Sequence, residues 1–174
     1  MGGEPSGGWR SSSSPTARPA RSALRVVYID SSALLKLLWQ EPESDAVRDH
    51  VASEDLVIVS SLAELETHVQ VTAAWLAGRY GKARRERFRA KLAEFRATDP
   101  FRFRPLPGSV FETALRQHVG AGRTHCRTLD RLHLAAMTEL DVARLMTHDA
   151  VQAQAARALG FVVVIPGRGA NPQD

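Results

Sequence analysis

Four carboxylates occupy equivalent places in the chain, each near the end of a predicted strand or the start of the helix after it: Asp30, Glu66, Asp130 and Asp149. Carboxylates that are brought together repel one another and raise each other's pKa unless a cation neutralises them. Their hard oxygen atoms select Mg²⁺ or Mn²⁺, and Mg²⁺ usually keeps waters and substrate phosphate beside one or two carboxylates. The pattern therefore points to metal-assisted chemistry at a phosphate, provided that the fold gathers the four acids.

Two of the acids directly follow apolar runs that predict buried strands. Asp30 follows the β-branched and aromatic run 26–29, and Asp149 follows a short strand predicted over 144–147. In open α/β sheets, ligands bind outside the carboxyl ends of the strands. Both acids are therefore predicted at the edge of a sheet where a site would form.

The other two acids lie near the start of predicted helices. Glu66 falls in the second turn of the helix after the strand 56–59, and Asp130 falls in the first turn of the helix 128–140. Glu64 competes with Glu66, but Ser61 and Glu64 have the spacing of a capping box, which gives Glu64 a structural role. Because the two glutamates are about 200° apart around a helix, they cannot easily share one site. Glu66 is therefore assigned to the metal and Glu64 to the cap.

Each acid also has a purely structural explanation. Asp30 is suited to cap the helix that follows it, Asp149 and Gln152 have the spacing of a capping pair, and Asp130 can oppose the dipole of its helix. Any one of these explanations is sufficient for its residue. Only convergence of all four acids at one end of a sheet would favour a site.

The elements that must position these acids alternate between strand and helix, which predicts an α/β fold with a central parallel sheet covered on both faces. The predicted strands cover 26–29, 56–59, 101–106, 144–147 and 161–165. The predicted helices cover 31–40, 43–53, 61–77, 82–97, 108–119, 128–140 and 150–159. In the third helix, apolar residues recur in the 3, 4, 3, 4 spacing of an amphipathic stripe, as Leu62, Leu65, Val69, Thr72 and Leu76.

Length and composition set the domain organisation. The 174 residues, 44% hydrophobic and 24% charged, suit one globular domain, predicted over 26–166. Residues 1–23 are rich in Gly, Ser and Pro and predict a disordered extension, and 167–174 predict a flexible tail. No apolar run approaches the roughly 20 residues of a membrane span. The single cysteine, Cys126, suits a reducing cytoplasm, which is the predicted location.

Positive charge is concentrated in the stretch 79–104, where ten Lys and Arg face three acids, a net charge of +7. Most of this stretch predicts a helix with Phe88, Leu92 and Phe95 facing inward. Two interpretations stay open. The cations form either a solvated helix face or an electrostatic footprint for nucleic-acid phosphates.

Four motifs in order carry a resemblance to PIN-domain nucleases, especially VapC-type toxins. The opening Tyr-Ile-Asp-Ser-Ser-Ala-Leu-Leu-Lys-Leu holds Asp30, and Ser-Ser-Leu-Ala-Glu-Leu-Glu resembles the second motif of that family, with its acid at Glu66. Thr-Leu-Asp-Arg-Leu-His-Leu-Ala-Ala resembles the third motif, with its acid at Asp130. Met-Thr-His-Asp, followed by Ala-Ala-Arg-Ala-Leu-Gly, resembles the fourth, with its acid at Asp149. The match spans about 26–166 and keeps order and spacing.

The resemblance implies a PIN-like domain of three layers, α/β/α, that binds Mg²⁺ or Mn²⁺ at the four acids and cleaves single-stranded RNA. It also implies a homodimer and a small VapB-like antitoxin that blocks the site. Ser32 and Thr147 are candidates to orient a carboxylate or a water. His133 is interpreted as a helix-packing residue rather than a base.

Three alternatives stay open. A phosphatase of the haloacid-dehalogenase type also has an aspartate after its first strand, but it requires a second aspartate where this chain has Ser32. A non-catalytic RNA-binding or scaffold PIN domain usually lacks part of the acidic set. A PIN nuclease of RNA processing or decay, acting without an antitoxin, is not separated from a toxin by these residues.

Overall fold

The computed structural model describes residues 24–122 and 124–167. Within them, five strands form one parallel sheet in the order β3-β2-β1-β4-β5. The strands are β1 (Val26–Ile29), β2 (Leu56–Ser60), β3 (Phe101–Arg104), β4 (Arg144–Met146) and β5 (Val162–Val164). Because the central strand β1 lies between β2 and β4, the carboxyl end of β1 is near the first turns of the helices that follow all three strands.

Seven helices connect and cover these strands. They are α1 (Ser31–Leu38), α2 (Ser44–Ser53), α3 (Ser61–Leu76), α4 (Lys82–Ala97), α5 (Val110–Gly120), α6 (Thr128–Glu139) and α7 (Ala150–Ala158). Each predicted element is therefore found in the part of the chain described, with ends that differ from the predictions by at most a few residues. The last helical turn of α3 is followed by Gly78, whose φ of 72° suits glycine at a helix end.

The strands alternate their side chains between two separate cores, as the two-residue period of a strand requires. Tyr28 and Leu145 pack against α5, α6 and α7 on one face. Val27, Ile29 and Met146 pack on the other face against α1, α2 and α4. The predicted three-layer α/β/α fold with a central parallel sheet is thus confirmed.

The edges and ends of the fold also bear on the predictions. β3 is an edge strand, as predicted, and its side chains alternate between buried and exposed. Among the described residues, no helix is both long and apolar enough to cross a membrane. The predicted extension 1–23 lies outside the described residues, as does the predicted tail 167–174 except for its first residue, and the domain boundary at 26–166 stays a prediction.

The apolar stripe of α3 faces outward for most of its length. Leu65, Val69 and Leu76 are 61%, 56% and 72% exposed. The side of α3 that packs inward carries smaller residues instead, namely Ala63, Thr67, Val71 and Ala74. Small residues allow α3 to lie close to α1 and α4, and the larger apolar side chains are left on the surface.

The basic helix α4 packs as predicted, with Phe88, Leu92 and Phe95 buried. Many of its cations contact groups of the same chain. The Arg85 guanidinium lies 3.9 Å from the centre of the Trp75 ring and 2.6 Å from the Glu86 carboxylate. Arg96 pairs with Glu64 and stacks on Phe103. Part of the positive charge is therefore already engaged within the fold.

Candidate active site

Asp30 lies between β1 and α1, where it caps α1, and it is almost completely buried, with 3% exposed. Oδ1 accepts hydrogen bonds from the Ala33 backbone N–H at 2.9 Å and from the Ser32 hydroxyl at 2.8 Å. Oδ2 accepts from the Thr147 hydroxyl at 2.6 Å. Burial raises the pKa of Asp30, and the charge of His133 and these hydrogen bonds oppose that rise. The carboxylate thus has several neutral donors and no ion pair among the described residues.

Ser32 and Thr147 connect the loops that follow β1 and β4. The Ser32 hydroxyl donates to Asp30 and accepts from the His148 backbone N–H at 2.8 Å. The Thr147 hydroxyl accepts from the Asp149 backbone N–H at 3.0 Å. Both side chains therefore fix the position of the Asp30 carboxylate relative to the fourth motif.

Glu66 is held by a second buried network. Its Oε2 lies 2.5 Å from Nε2 of His133, which is 2% exposed. Nδ1 of His133 lies 2.7 Å from the Tyr28 hydroxyl, and that hydroxyl lies 2.6 Å from the Ser60 hydroxyl. The Ser60 oxygen in turn accepts from the Ala63 backbone N–H at 3.1 Å.

One set of proton positions satisfies the whole network. If Nε2 of His133 donates to Glu66, then Nδ1 accepts from the Tyr28 hydroxyl, which accepts from Ser60. Burial raises the pKa of Tyr28, which keeps this hydroxyl protonated as a donor. Burial raises the pKa of Glu66, but the hydrogen bond from His133, together with its charge when the ring is protonated, outweighs that effect, and the pKa is lowered. The network thus holds Glu66 as an oriented carboxylate.

Asp130 and Asp149 combine helix capping with mutual repulsion. Oδ1 of Asp149 accepts from the backbone N–H of Val151 at 2.8 Å and of Gln152 at 2.9 Å, at the start of α7. Oδ2 of Asp130 accepts from the Arg127 backbone N–H at 3.0 Å, at the start of α6. Partial burial raises the pKa of Asp130, and the negative charge of Asp149 raises it further. The capping explanations are thus correct, and the two acids are also close enough to interact.

His133 is the group that links the acids, since a positive charge on its ring would lower the pKa of Asp30, Glu66 and Asp130. Within the described ranges, however, no three His, Cys, Asp or Glu side chains form a ready metal-binding cluster. Mg²⁺ does not require one, because it usually binds one or two carboxylates and keeps its waters. The donor set fits such an ion, with a buried carboxylate that has no cation of its own and a repelling pair nearby.

Two details differ from the sequence interpretation. The capping box of Ser61 and Glu64 is wrong, because Ser60 caps α3 in place of Ser61, and Glu64 pairs with Arg96. His133 does more than pack a helix, since it supports Glu66. Its position three residues after Asp130 was the available signal, because residues at that spacing share one face of a helix.

A family comparison agrees with this architecture. The model of the PIN domain matches residues 27–158. The chain belongs to the PIN domain family. Ribonuclease VapC46 of Mycobacterium tuberculosis is 32% identical over 145 residues, which cover 82% of this chain and 99% of VapC46. The predicted resemblance to PIN-domain nucleases of the VapC type is thus confirmed.

Solved structures share the fold at lower identity. VapC20 of Mycobacterium tuberculosis, a toxin that cleaves the sarcin–ricin loop, aligns with a TM-score of 0.61 and 19% identity over 80% of this chain and 99% of VapC20. VapBC2 of Rickettsia felis, bound to a DNA fragment from its promoter, aligns with a TM-score of 0.59 and 11% identity over 80% of this chain and 97% of the matched chain. At these identities the likeness concerns the fold alone.

Proposed function

We propose that this protein is an Mg²⁺- or Mn²⁺-dependent endoribonuclease that cleaves single-stranded RNA in the cytoplasm, and that it acts as the toxin of a toxin–antitoxin pair. The observation that carries the proposal is the Asp30 carboxylate, buried at the carboxyl end of the central strand with only neutral donors around it. A buried charge without a counterion is costly, so a cation supplied from solution would complete this arrangement. The ribonuclease activity of relatives such as VapC46 supports the same assignment.

In the proposed mechanism, Asp30, Glu66, Asp130 and Asp149 would hold the metal, directly or through its waters. A divalent ion bound there would lower the pKa of a bound water and offset the charge of the phosphate and the leaving oxygen. The other roles in this mechanism belong to side chains of the protein that position the acids. Ser32 and Thr147 fix the carboxylate of Asp30, and His133 fixes that of Glu66, so that both keep one orientation while RNA enters.

Chelation tests the metal requirement. We expect purified protein to cut single-stranded RNA and to leave duplex DNA intact. EDTA should abolish cleavage, and Mg²⁺ or Mn²⁺ should restore it. Full activity in EDTA would contradict the proposal, whichever RNA is used.

Residue assignment is tested by pairs of variants. Glu66→Gln should abolish cleavage, whereas Glu64→Gln should leave cleavage intact, because Glu64 only pairs with Arg96 on the surface. The stability loss from Glu64→Gln should be at most about 1 kcal/mol, as for other exposed ion pairs. Loss of cleavage in Glu64→Gln beside an active Glu66→Gln would reverse the assignment.

The proposed partner is a VapB-like antitoxin. A cluster of acids with apolar surroundings suits a basic or aromatic segment of a partner, and a basic side chain could displace the metal. The likeness to VapBC2 of Rickettsia felis supports such a complex. Expression of this chain alone should stop growth, and co-expression of the neighbouring gene should restore it. Normal growth with a folded, active enzyme would instead favour a processing or decay nuclease.

The proposed homodimer would use the outward stripe of α3, where Leu65, Val69 and Leu76 are mostly exposed. A second copy would cover this apolar surface with the same residues, as twofold symmetry requires. Sedimentation equilibrium should therefore show a dimer for the unmodified chain and a monomer for Leu65→Lys with Val69→Lys. A dimer that survives both substitutions would place the interface elsewhere.

A further inference from the structure

A pocket of about 530 Å³ opens between α5 and the start of α6. Cys126, Arg131 and Leu132 form part of its buried floor. Phe111 and Arg127 belong to its exposed rim. None of the described residues that line the pocket is acidic. The pocket is therefore both apolar and positively charged, unlike the proposed metal site beside it.

Arg131 is the unusual residue of this floor. Its side chain belongs to a residue that is only 5% exposed, and Nη2 makes one long hydrogen bond, 3.4 Å, to the Thr124 carbonyl. Among the described residues, Nε and Nη1 have no hydrogen-bond partner, and no carboxylate forms an ion pair with the guanidinium. Buried arginines are almost always paired, because an unpaired buried charge is costly. An anion that entered the pocket would supply the missing partner.

The pocket adjoins the proposed active site through the first turn of α6. Arg127 lines the pocket, and its backbone N–H donates to the Asp130 carboxylate at 3.0 Å. On the pocket floor, burial raises the pKa of Cys126, and the charge of Arg131 and its contact with the thiol oppose that rise. The negative charges of Asp130 and Asp149 add to the rise. A molecule in the pocket would therefore lie next to Asp130 and Asp149, but the side chains that bind it would be different ones.

We propose that this pocket binds one nucleotide of the RNA substrate, adjacent to the phosphate that is cleaved. The phosphate of this nucleotide pairs with Arg131 and Arg127, and its base packs against Phe111 and Leu132. Proteins bind single-stranded RNA by such a combination of cationic groups and apolar or aromatic surfaces. The volume suits a small ligand of this kind. The assignment deepens the proposed ribonuclease function and rests on it for the identity of the RNA.

Mononucleotide titration tests the pocket without any cleavage. Nucleoside 5′-monophosphates, nucleosides and inorganic phosphate are titrated separately into the full chain in EDTA, with binding followed by calorimetry and NMR shifts. We expect the monophosphates to bind best and to shift signals of Cys126 and Arg131. Arg131→Gln should weaken this binding at least about tenfold, the effect of losing a charge-assisted hydrogen bond. Arg116→Gln, an exposed change on the outer side of α5, should leave it unchanged.

Rim variants keep the test valid if Arg131→Gln does not fold. Arg127→Gln should weaken binding of monophosphates and of inorganic phosphate alike. Phe111→Ala should weaken binding of monophosphates only, because it removes a surface for the base. Phosphate that binds as tightly as the nucleotides, with no effect of Phe111→Ala, would overturn the assignment to a nucleotide. The assignment would also be overturned if the unmodified chain bound no nucleotide, or if the rim variants weakened only the binding of an antitoxin.

Cleavage assays separate this pocket from the proposed metal site. Phe111→Ala and Arg127→Gln should raise the KM for RNA about tenfold and change kcat less than about twofold, as expected when ground-state and transition-state binding are lost equally. Asp149→Asn should bind monophosphates normally and fail to cut RNA. If the unmodified chain cuts no RNA, the ribonuclease proposal fails, and the titration in EDTA still decides whether the pocket binds nucleotides.

Discussion

A carboxylate is buried at each end of the strands of the central sheet, and the two carboxylates have different partners. At the amino ends of the strands, Glu54 precedes β2, and its side chain is 1% exposed. Arg144, the first residue of β4, approaches both of its oxygens at 2.6 and 2.9 Å, and Nε2 of His50 lies 3.0 Å away. At the carboxyl ends, the Asp30 carboxylate accepts hydrogen bonds from only two hydroxyls and a backbone N–H. The fold thus supplies a cation to Glu54 and none to Asp30.

This difference separates a structural charge from one that can serve a site. A buried carboxylate with a bidentate arginine is neutralised and has no remaining affinity for a metal ion. A buried carboxylate with neutral donors is oriented, and its raised pKa shows that its charge lacks a nearby cation. Both are buried in the fold, so burial alone would not distinguish the acid that we propose to bind metal. The identity of the hydrogen-bond donors does.

The largest expected effect comes from Asp30→Asn. The asparagine can still cap α1, because its oxygen can accept the Ala33 N–H, so the fold is retained. RNA cleavage should fall about a thousandfold or more, since a metal ion stabilises the transition state by several kcal/mol. The midpoint of thermal unfolding should stay constant or rise, because a buried charge is removed. A clear loss of stability with cleavage intact would make Asp30 the structural acid.

At the amino ends of the strands, we expect a loss of stability without a loss of cleavage. Arg144→Met leaves the Glu54 carboxylate buried without its main partner, and the free energy of unfolding should fall by about 3–5 kcal/mol. The fraction of protein that remains folded should cut RNA normally. Arg48→Met, which breaks an exposed pair with Asp45, is the matched control and should cost under about 1 kcal/mol. Urea titrations would show whether the two variants differ.

A smaller effect should distinguish the two ends of the Tyr28–His133 network. His133→Gln removes the group that holds Glu66, and metal affinity or cleavage should fall about 10- to 100-fold. Tyr28→Phe leaves the contact of His133 with Glu66 in place and should cost about 1–3 kcal/mol in stability, with little change in cleavage. Equal losses of cleavage in both variants would mean that the network acts as one unit.

The smallest expected effect concerns the basic helix α4. Arg87 is exposed and, in the part of the chain described, makes no ion pair or ring contact, whereas Arg85 is engaged with Trp75 and Glu86. If α4 contacts RNA phosphates, as we expect, Arg87→Glu should flatten the slope of log affinity against log salt by about 0.7. Arg85→Gln should lower the stability of the fold and leave that slope nearly unchanged. Identical slopes for Arg87→Glu and the unmodified chain would make α4 a solvated face.

Much of the fold could be predicted from the sequence because it depends on local patterns. Buried strands such as 26–29 and 56–59 are continuous apolar runs, and the residues between them have helical spacing. The outward stripe of α3 could not be predicted, because its spacing says that one side is apolar and not which side packs. Only the tertiary contacts show that Ala63 and Val71 pack inward while Leu65 faces solvent.

The candidate site was predictable to a different degree. The four acids stood out by type and position, but each also has a capping or pairing partner, and type alone could not show their proximity. His133 depends on a contact with Glu66 across 67 positions, and the lack of partners around the buried Arg131 is visible only in three dimensions. Such contacts leave little trace in one sequence.

The central position of β1 also determines when the surroundings of Asp30 are completed during synthesis of the chain. Thr147 reaches Asp30 across 117 positions, and β4 pairs with β1 only after most of the chain exists. Chains are synthesised from the amino end, and contacts of long range form late. A nascent polypeptide therefore carries its first two acids for most of translation without the strand that completes their surroundings. The proposed site around Asp30 therefore forms only after β4 has been synthesised.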